Sequence, residues 1–195
     1  KSFNLSSYTT IKVGGVAEYF AEPRSIEEFS YLIKWANLNK QRCQIIGAGS
    51  NLLINNIFIK GLVVCTKKLK SLMIEPYSGI VEAEAGVMLP TLSNSLAKNG
   101  LQGGEWAVGI PGTLGGAIYM NAGTGNLSLA KNLISVKVIN NKTQEKLEIE
   151  KKDINFEYRF SSFQRNNLTI ISARLHFRPD GNLQELIQRT KNNLK

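Results

Sequence analysis

Cysteine and histidine are almost absent from this chain, and that alone closes several classes of function. Two cysteines (Cys43 and Cys65) and one histidine (His176) in 195 residues form no cluster able to hold a structural or catalytic zinc ion. Each cysteine sits in or beside an apolar run, which suits a buried thiol in a reducing cytoplasm better than a disulfide. Long hydrophobic runs are missing too. Stretches such as Leu62-Val63-Val64-Cys65 fall far short of the roughly 20 residues a membrane span needs. No signal-peptide pattern opens the chain, which begins at Lys1 and not at methionine, so residues are expected upstream. There is no internal repeat and no low-complexity linker. Acids are outnumbered, 15 against 24 Lys+Arg, for a net charge of +9.

That excess favours anionic partners. However, Lys67, Lys68, Lys70, Lys142, Lys151 and Lys152 are scattered among acids and asparagines, as on a solvated surface. No basic run with interleaved aromatics marks a nucleic-acid footprint. The 43% hydrophobic and 20% charged shares exclude disorder, collagen and a small disulfide scaffold, and allow one ordinary domain or two small lobes.

Along the chain, Tyr8-Thr9-Thr10-Ile11-Lys12-Val13-Gly14-Gly15 is a β-branched run ending in a glycine turn. Ser25 as N-cap and Glu28 three residues on form a capping box, and Ile26, Phe29, Leu32, Ile33 and Ala36 share one helical face. Cys43-Gln44-Ile45-Ile46 reads as a strand, followed by Gly47-Ala48-Gly49-Ser50-Asn51 and more strand-like residues through Val64. A second lobe is expected from Lys67. Val81, Ala83 and Ala85 alternate with Glu82 and Glu84 as in a half-buried strand. Pro90 near the start and Gly100 past the end bracket a helix over 89–98. Residues 103–125 form the least regular stretch, strands follow over 134–139, 147–149 and 168–177, and a polar helix is expected over 182–194. The expected division is 1–66, 67–178 and a connector, 179–195.

Two glycine-rich stretches are the places for chemistry. Gly47-Ala48-Gly49-Ser50-Asn51 follows a strand, and small residues there let successive N–H groups face an anion. A plain strand-to-strand turn would read the same way. A Rossmann fingerprint needs a third glycine where Leu52 stands, and a Walker loop needs Gly-Lys-Ser/Thr, which occurs nowhere. The second stretch, Gly109-Ile110-Pro111-Gly112-Thr113-Leu114-Gly115-Gly116-Ala117 with Asn121-Ala122-Gly123, is long for an irregular segment unless it binds something. Gly112, Gly115 and Gly116 leave room for a ligand against the main chain; close packing on a neighbouring strand is the competing reading. Tyr158-Arg159-Phe160-Ser161-Ser162-Phe163 sets an arginine among aromatics, either a surface residue on a ring or a preorganised cation for a carboxylate.

Taken together and in order, these motifs resemble the UDP-N-acetylenolpyruvoylglucosamine reductase family over about residues 5–177. The resemblance implies an α+β, two-lobed FAD-binding fold of the vanillyl-alcohol-oxidase (PCMH) type. It implies non-covalent FAD, with Gly47, Ala48, Gly49, Ser50 and Asn51 on one side. Ile110, Pro111, Gly112, Thr113, Gly115, Gly116, Asn121, Ala122 and Gly123 would be on the other. It further implies NADPH as hydride donor, a UDP-sugar substrate, Arg159 as the catalytic arginine, and Tyr158 with Arg159 at the substrate. No metal, nucleic acid or membrane partner is expected, and a monomer is the expected state. The family's C-terminal substrate-binding domain carries a serine proton donor in a Gly-Ser-x-Phe-Lys-Asn-Pro type motif and a late glutamate, and neither is found here. The chain is therefore expected to be the flavin-binding portion alone, poorly active by itself. Another FAD oxidase of the same superfamily, or a non-enzymatic nucleotide binder, are the alternatives.

Overall fold

The computed structural model describes residues 2–55 and 57–194. The β-branched run from Tyr8 to Gly15 forms no strand. After a two-residue strand β1 (Phe3–Asn4) and a 3-10 turn over Ser6–Tyr8, the Thr9 hydroxyl donates to the carbonyl of Val13 at 2.7 Å. That bond folds the segment back on itself, an alternative to strand pairing open to threonine. The first long strand is β2 (Val16–Ala21).

Helix α1 (Ile26–Leu38) begins where its caps dictate: Ser25 Oγ accepts from the Glu28 amide, and Glu28 in turn accepts from the amide of Arg24 at 2.7 Å. Its apolar face, Phe29, Ile33 and Ala36, is buried. β3 (Cys43–Ile46) and β4 (Phe58–Cys65) follow, and the first sheet has the order β1-β2-β4-β3, with β2, β4 and β3 parallel.

Five antiparallel strands build the second sheet. β5 (Leu72–Glu75) and β6 (Ile80–Glu84) form a hairpin, and the alternation read in the sequence is real, Val81 and Ala83 being buried and Glu82 and Glu84 partly exposed. Helix α2 (Leu89–Lys98) has Pro90 in its first turn, and Gly100 takes a left-handed conformation just beyond it. Residues 103–125 are less irregular than their glycines imply: a 3-10 turn spans Glu105–Gly109, and a short helix α3 spans Leu114–Tyr119. β7 (Gly123–Thr124) and β8 (Leu127–Ser128) make a small hairpin. Then come β9 (Leu133–Asn140), β10 (Lys146–Glu150), the hairpin of β11 (Phe156–Glu157) and β12 (Phe160–Ser161), β13 (Leu168–His176) and α4 (Leu183–Asn192). The order is β10-β9-β13-β6-β5, so the late strand β13 lies between β9 and β6.

The second sheet is covered on both faces. Val136, Val138, Ile170 and Leu175 pack with Leu92, Leu96, Leu114 and Ile118 of α2 and α3. From the other face Ile139 and Ile171 pack with Phe29 and Ile33 of α1 and Leu62 and Val64 of β4. Most of β9 and β13 is therefore buried, with Lys137, Arg174 and His176 exposed, and the two sheets share one side of their cores.

Candidate functional site

A cavity of about 830 Å³ opens where the end of β3, the start of α3 and the start of β13 converge, toward the upper end of the usual ligand-site range. Residues 47–51 line it, as do Ile110, Pro111, Gly112, Thr113, Gly115, Gly116, Ala122 and Arg159. Three expected contacts stand outside its wall: Asn121, Gly123 and Tyr158.

The 47–51 loop is wedged between two neighbours. A Cβ on Gly47 would lie 2.4 Å from the Thr113 hydroxyl, and one on Gly49, whose φ is +69°, would lie 1.9 Å from the carbonyl of Tyr8. Only glycine lets both contacts form. The Thr10 amide donates to the carbonyl of Gly49 at 3.2 Å, and Ser50 Oγ donates to the carbonyl of Pro111 at 3.0 Å. Among the described residues, the amides of Ala48, Gly49, Ser50 and Asn51 have no protein acceptor. A row of such donors facing a cavity is an anion-binding arrangement.

The second stretch differs from expectation. The amides of Leu114 and Gly115 are already used, donating to the carbonyls of Val87 and Ala85 at 2.8 and 2.9 Å. Gly115 is close-packed: a Cβ there would lie 2.9 Å from that of Ala85. Gly116 is open by contrast, the nearest atom to its notional Cβ being the Thr113 hydroxyl at 3.6 Å. Among the described residues the amides of Gly112 and Thr113 likewise have no protein acceptor, so both stretches bring free donors to the cavity wall.

Arg159 occupies the two-residue turn between β11 and β12 in a left-handed conformation, φ +55°. Its guanidinium stacks 5.5 Å from the centroid of the Tyr158 ring, which is itself 90% exposed. Among the described residues it forms no ion pair. Asn121 lies behind the wall, where its side-chain amide donates to the carbonyl of Glu157 at 2.8 Å and so holds the Arg159 hairpin, while its Oδ1 is buried without a partner.

Several wall residues had no local signal in the sequence. Tyr119, Met120, Gln164, Asn141 and Thr169 line the cavity, and the Thr169 hydroxyl donates to Asn141 Oδ1 at 2.8 Å. Beneath the first loop, the Cys65 thiol is buried and pushed up by that burial, its Sγ–H pointing at the Gly47 carbonyl 3.5 Å away. Cys43 is pushed up to about 11, also by burial. Among the described residues no group of acids, cysteines and histidine is arranged to hold a metal ion, and no helix is long and apolar enough to cross a membrane.

The FAD binding domain family matches residues 17–145. Over all 195 residues the chain is 68% identical to the UDP-N-acetylenolpyruvoylglucosamine reductase of Prochlorococcus marinus subsp. pastoris, of which it spans 66%. Among solved structures it is similar to the UDP-N-acetylenolpyruvylglucosamine reductase of Thermus caldophilus, at 28% identity and a TM-score of 0.80, covering 99% of this chain and 67% of that one. An alkyldihydroxyacetonephosphate synthase shares the fold at 16% identity and a TM-score of 0.63, over 86% of this chain and 33% of its own.

Proposed function

Given that the chain belongs to the FAD binding domain family, we propose that it is the flavin-holding portion of a reductase. That enzyme would convert UDP-N-acetylglucosamine enolpyruvate to UDP-N-acetylmuramate, with NADPH as electron source. The observation that carries the reading is a shared wall: Arg159, which forms no ion pair among the described residues, and a row of amides with no protein acceptor among them line the same cavity.

Bound FAD supplies the two-electron transfer that no side chain of the chain can perform. The protein's part is to hold and to stabilise. The amides of Ala48 to Asn51 would hold the pyrophosphate of FAD, as peptide nests do for anions. Gly116, which bares its backbone to the cavity, gives the cofactor a close approach.

Arg159 binds the substrate carboxylate. A planar, permanently charged fork matches both carboxylate oxygens, and its charge offsets the negative charge that builds beside the carboxylate as the double bond is reduced. Water is kept away by the apolar wall of Ile46, Leu89, Phe163 and Ile170. The proton that completes the reaction is left to a group in the remaining length of the relatives. The isolated chain accordingly binds FAD and turns over poorly.

Two measurements test this. The purified chain, incubated with FAD and desalted, should show flavin absorbance that passes wholly to the supernatant on denaturation; a chain that stays colourless overturns the reading. In the full-length enzyme, Arg159→Ala should lower substrate-dependent NADPH oxidation by about 10²–10³-fold. Unchanged turnover would remove Arg159 from the chemistry.

A further inference from the structure

The left-handed conformation of Arg159 is one that a non-glycine residue keeps only where its surroundings over-determine it. Those surroundings converge on the C-terminal end of α3. Gln164 donates from Nε2 to the carbonyl of Tyr119 at 2.8 Å and to the carbonyl of Arg159 itself at 3.2 Å. Ser161 Oγ donates to the same Tyr119 carbonyl at 2.8 Å, and Asn121 holds the carbonyl of Glu157 from the other side of the turn. Of these three side chains, Gln164 is the one that bonds to Arg159 directly, and it also lines the cavity.

The opposite end of α3 meets the first glycine loop, since Thr113, its N-cap, fills the space that a side chain at position 47 would need. A single short helix thus touches the phosphate-facing loop at one end and the arginine hairpin at the other. Gln164 is the bracket that fixes the hairpin to it. Without that bracket the turn keeps only the bonds flanking Arg159, and the guanidinium, which stacks on Tyr158, loses the fixed backbone that carries it beside the cavity.

We propose that Gln164 is a positioning residue, one that fixes the Arg159 turn at the cavity wall by tying its backbone carbonyl to the end of α3. The inference rests on the reading of Arg159 as the carboxylate-binding cation. Gln164→Met keeps the length of the side chain and removes the donor. Gln164→Glu keeps the shape and sets an acceptor against two carbonyls.

The test is calorimetric titration of the oxidised, FAD-loaded, full-length enzyme with the enolpyruvyl substrate in the absence of NADPH, alongside a flavin-affinity measurement. Either Gln164 variant should weaken substrate binding about tenfold, the scale of a lost hydrogen bond to a turn that orients a charge. Its FAD affinity should stay within about twofold of wild type. In an Arg159→Ala background the same change should cost less than about twofold, because the group it positions is gone.

An equal loss in both backgrounds overturns the proposal, since Gln164 would then act independently of Arg159. Wild-type substrate affinity in both Gln164 variants overturns it as well. If Arg159→Ala alone binds substrate normally, the reading beneath fails and takes the proposal with it. Carrying two variants keeps the test decisive if one of them does not fold.

Discussion

Ser50 donates its hydroxyl proton to the carbonyl of Pro111 across 3.0 Å, joining two loops 61 residues apart in the chain. Both partners line the cavity, so this bond sets how far apart its walls stand. Ser50→Ala should weaken FAD binding about five- to tenfold, the value of one neutral hydrogen bond. The melting temperature of the unloaded chain should scarcely move, because neither residue belongs to the core. Fluorescence titration of FAD against the variant checks this, and a wild-type dissociation constant would show that the loops are held together by other contacts.

The adjacent glycines of α3 are predicted to fail in opposite ways. Gly115→Ala would press a methyl group against Ala85 at 2.9 Å, overpacking that costs about 1–3 kcal/mol and lowers the melting temperature of the unloaded protein. Gly116→Ala meets nothing closer than 3.6 Å and removes a poor helix former, so the unloaded protein should gain up to about 1 kcal/mol. Its methyl group would stand in the cavity and reduce FAD affinity. Thermal melts with and without FAD separate the two. A loss of stability for Gly116→Ala would contradict the assignment of its bare face to the ligand.

Tyr8 supplies a pH prediction. Burial first, and then the hydrogen bond it donates to Glu22 at 2.8 Å, push its phenol from 10.0 up to about 12. The folded state thus holds the phenolic proton more tightly than the unfolded chain. The stability this adds is complete below pH 10 and is lost as pH climbs through about 12. Tyr8→Phe lacks the titration. The stability difference between wild type and Tyr8→Phe should therefore shrink between about pH 10 and 12, as read from denaturant midpoints at several pH values. A difference that stays constant over that interval would contradict it.

Local chemistry was legible in the chain, and distance was not. Ser25 and Glu28 announced the start of α1, and Pro90 and Gly100 bracketed α2, because caps act within one turn. α3 was hidden because Gly115 and Gly116 make Leu114–Tyr119 a weak helix on propensity alone. What forms it is the Thr113 cap together with the Leu114 and Gly115 amides paired to Val87 and Ala85. Those partners lie about 30 residues away, beyond any periodicity signal. Thr9 misled in the opposite sense, its β-branched neighbourhood suggesting extension while its hydroxyl closed a turn. Asn121, expected at the cofactor, also bonds the Arg159 hairpin through the carbonyl of Glu157. That relation joins the end of α3 to a hairpin 36 residues further along the chain, which no short motif encodes.

The central claim is that FAD lies against the amides of the 47–51 loop with Arg159 on the same wall. Hydrogen exchange followed by mass spectrometry, on the chain with and without saturating FAD, tests it most directly. The account predicts that FAD slows exchange at Ala48, Gly49, Ser50 and Asn51, amides that have no protein acceptor among the described residues, while strand β10, outside the cavity wall, changes little. Saturable FAD binding that leaves those four amides exchanging at their unloaded rate would contradict it.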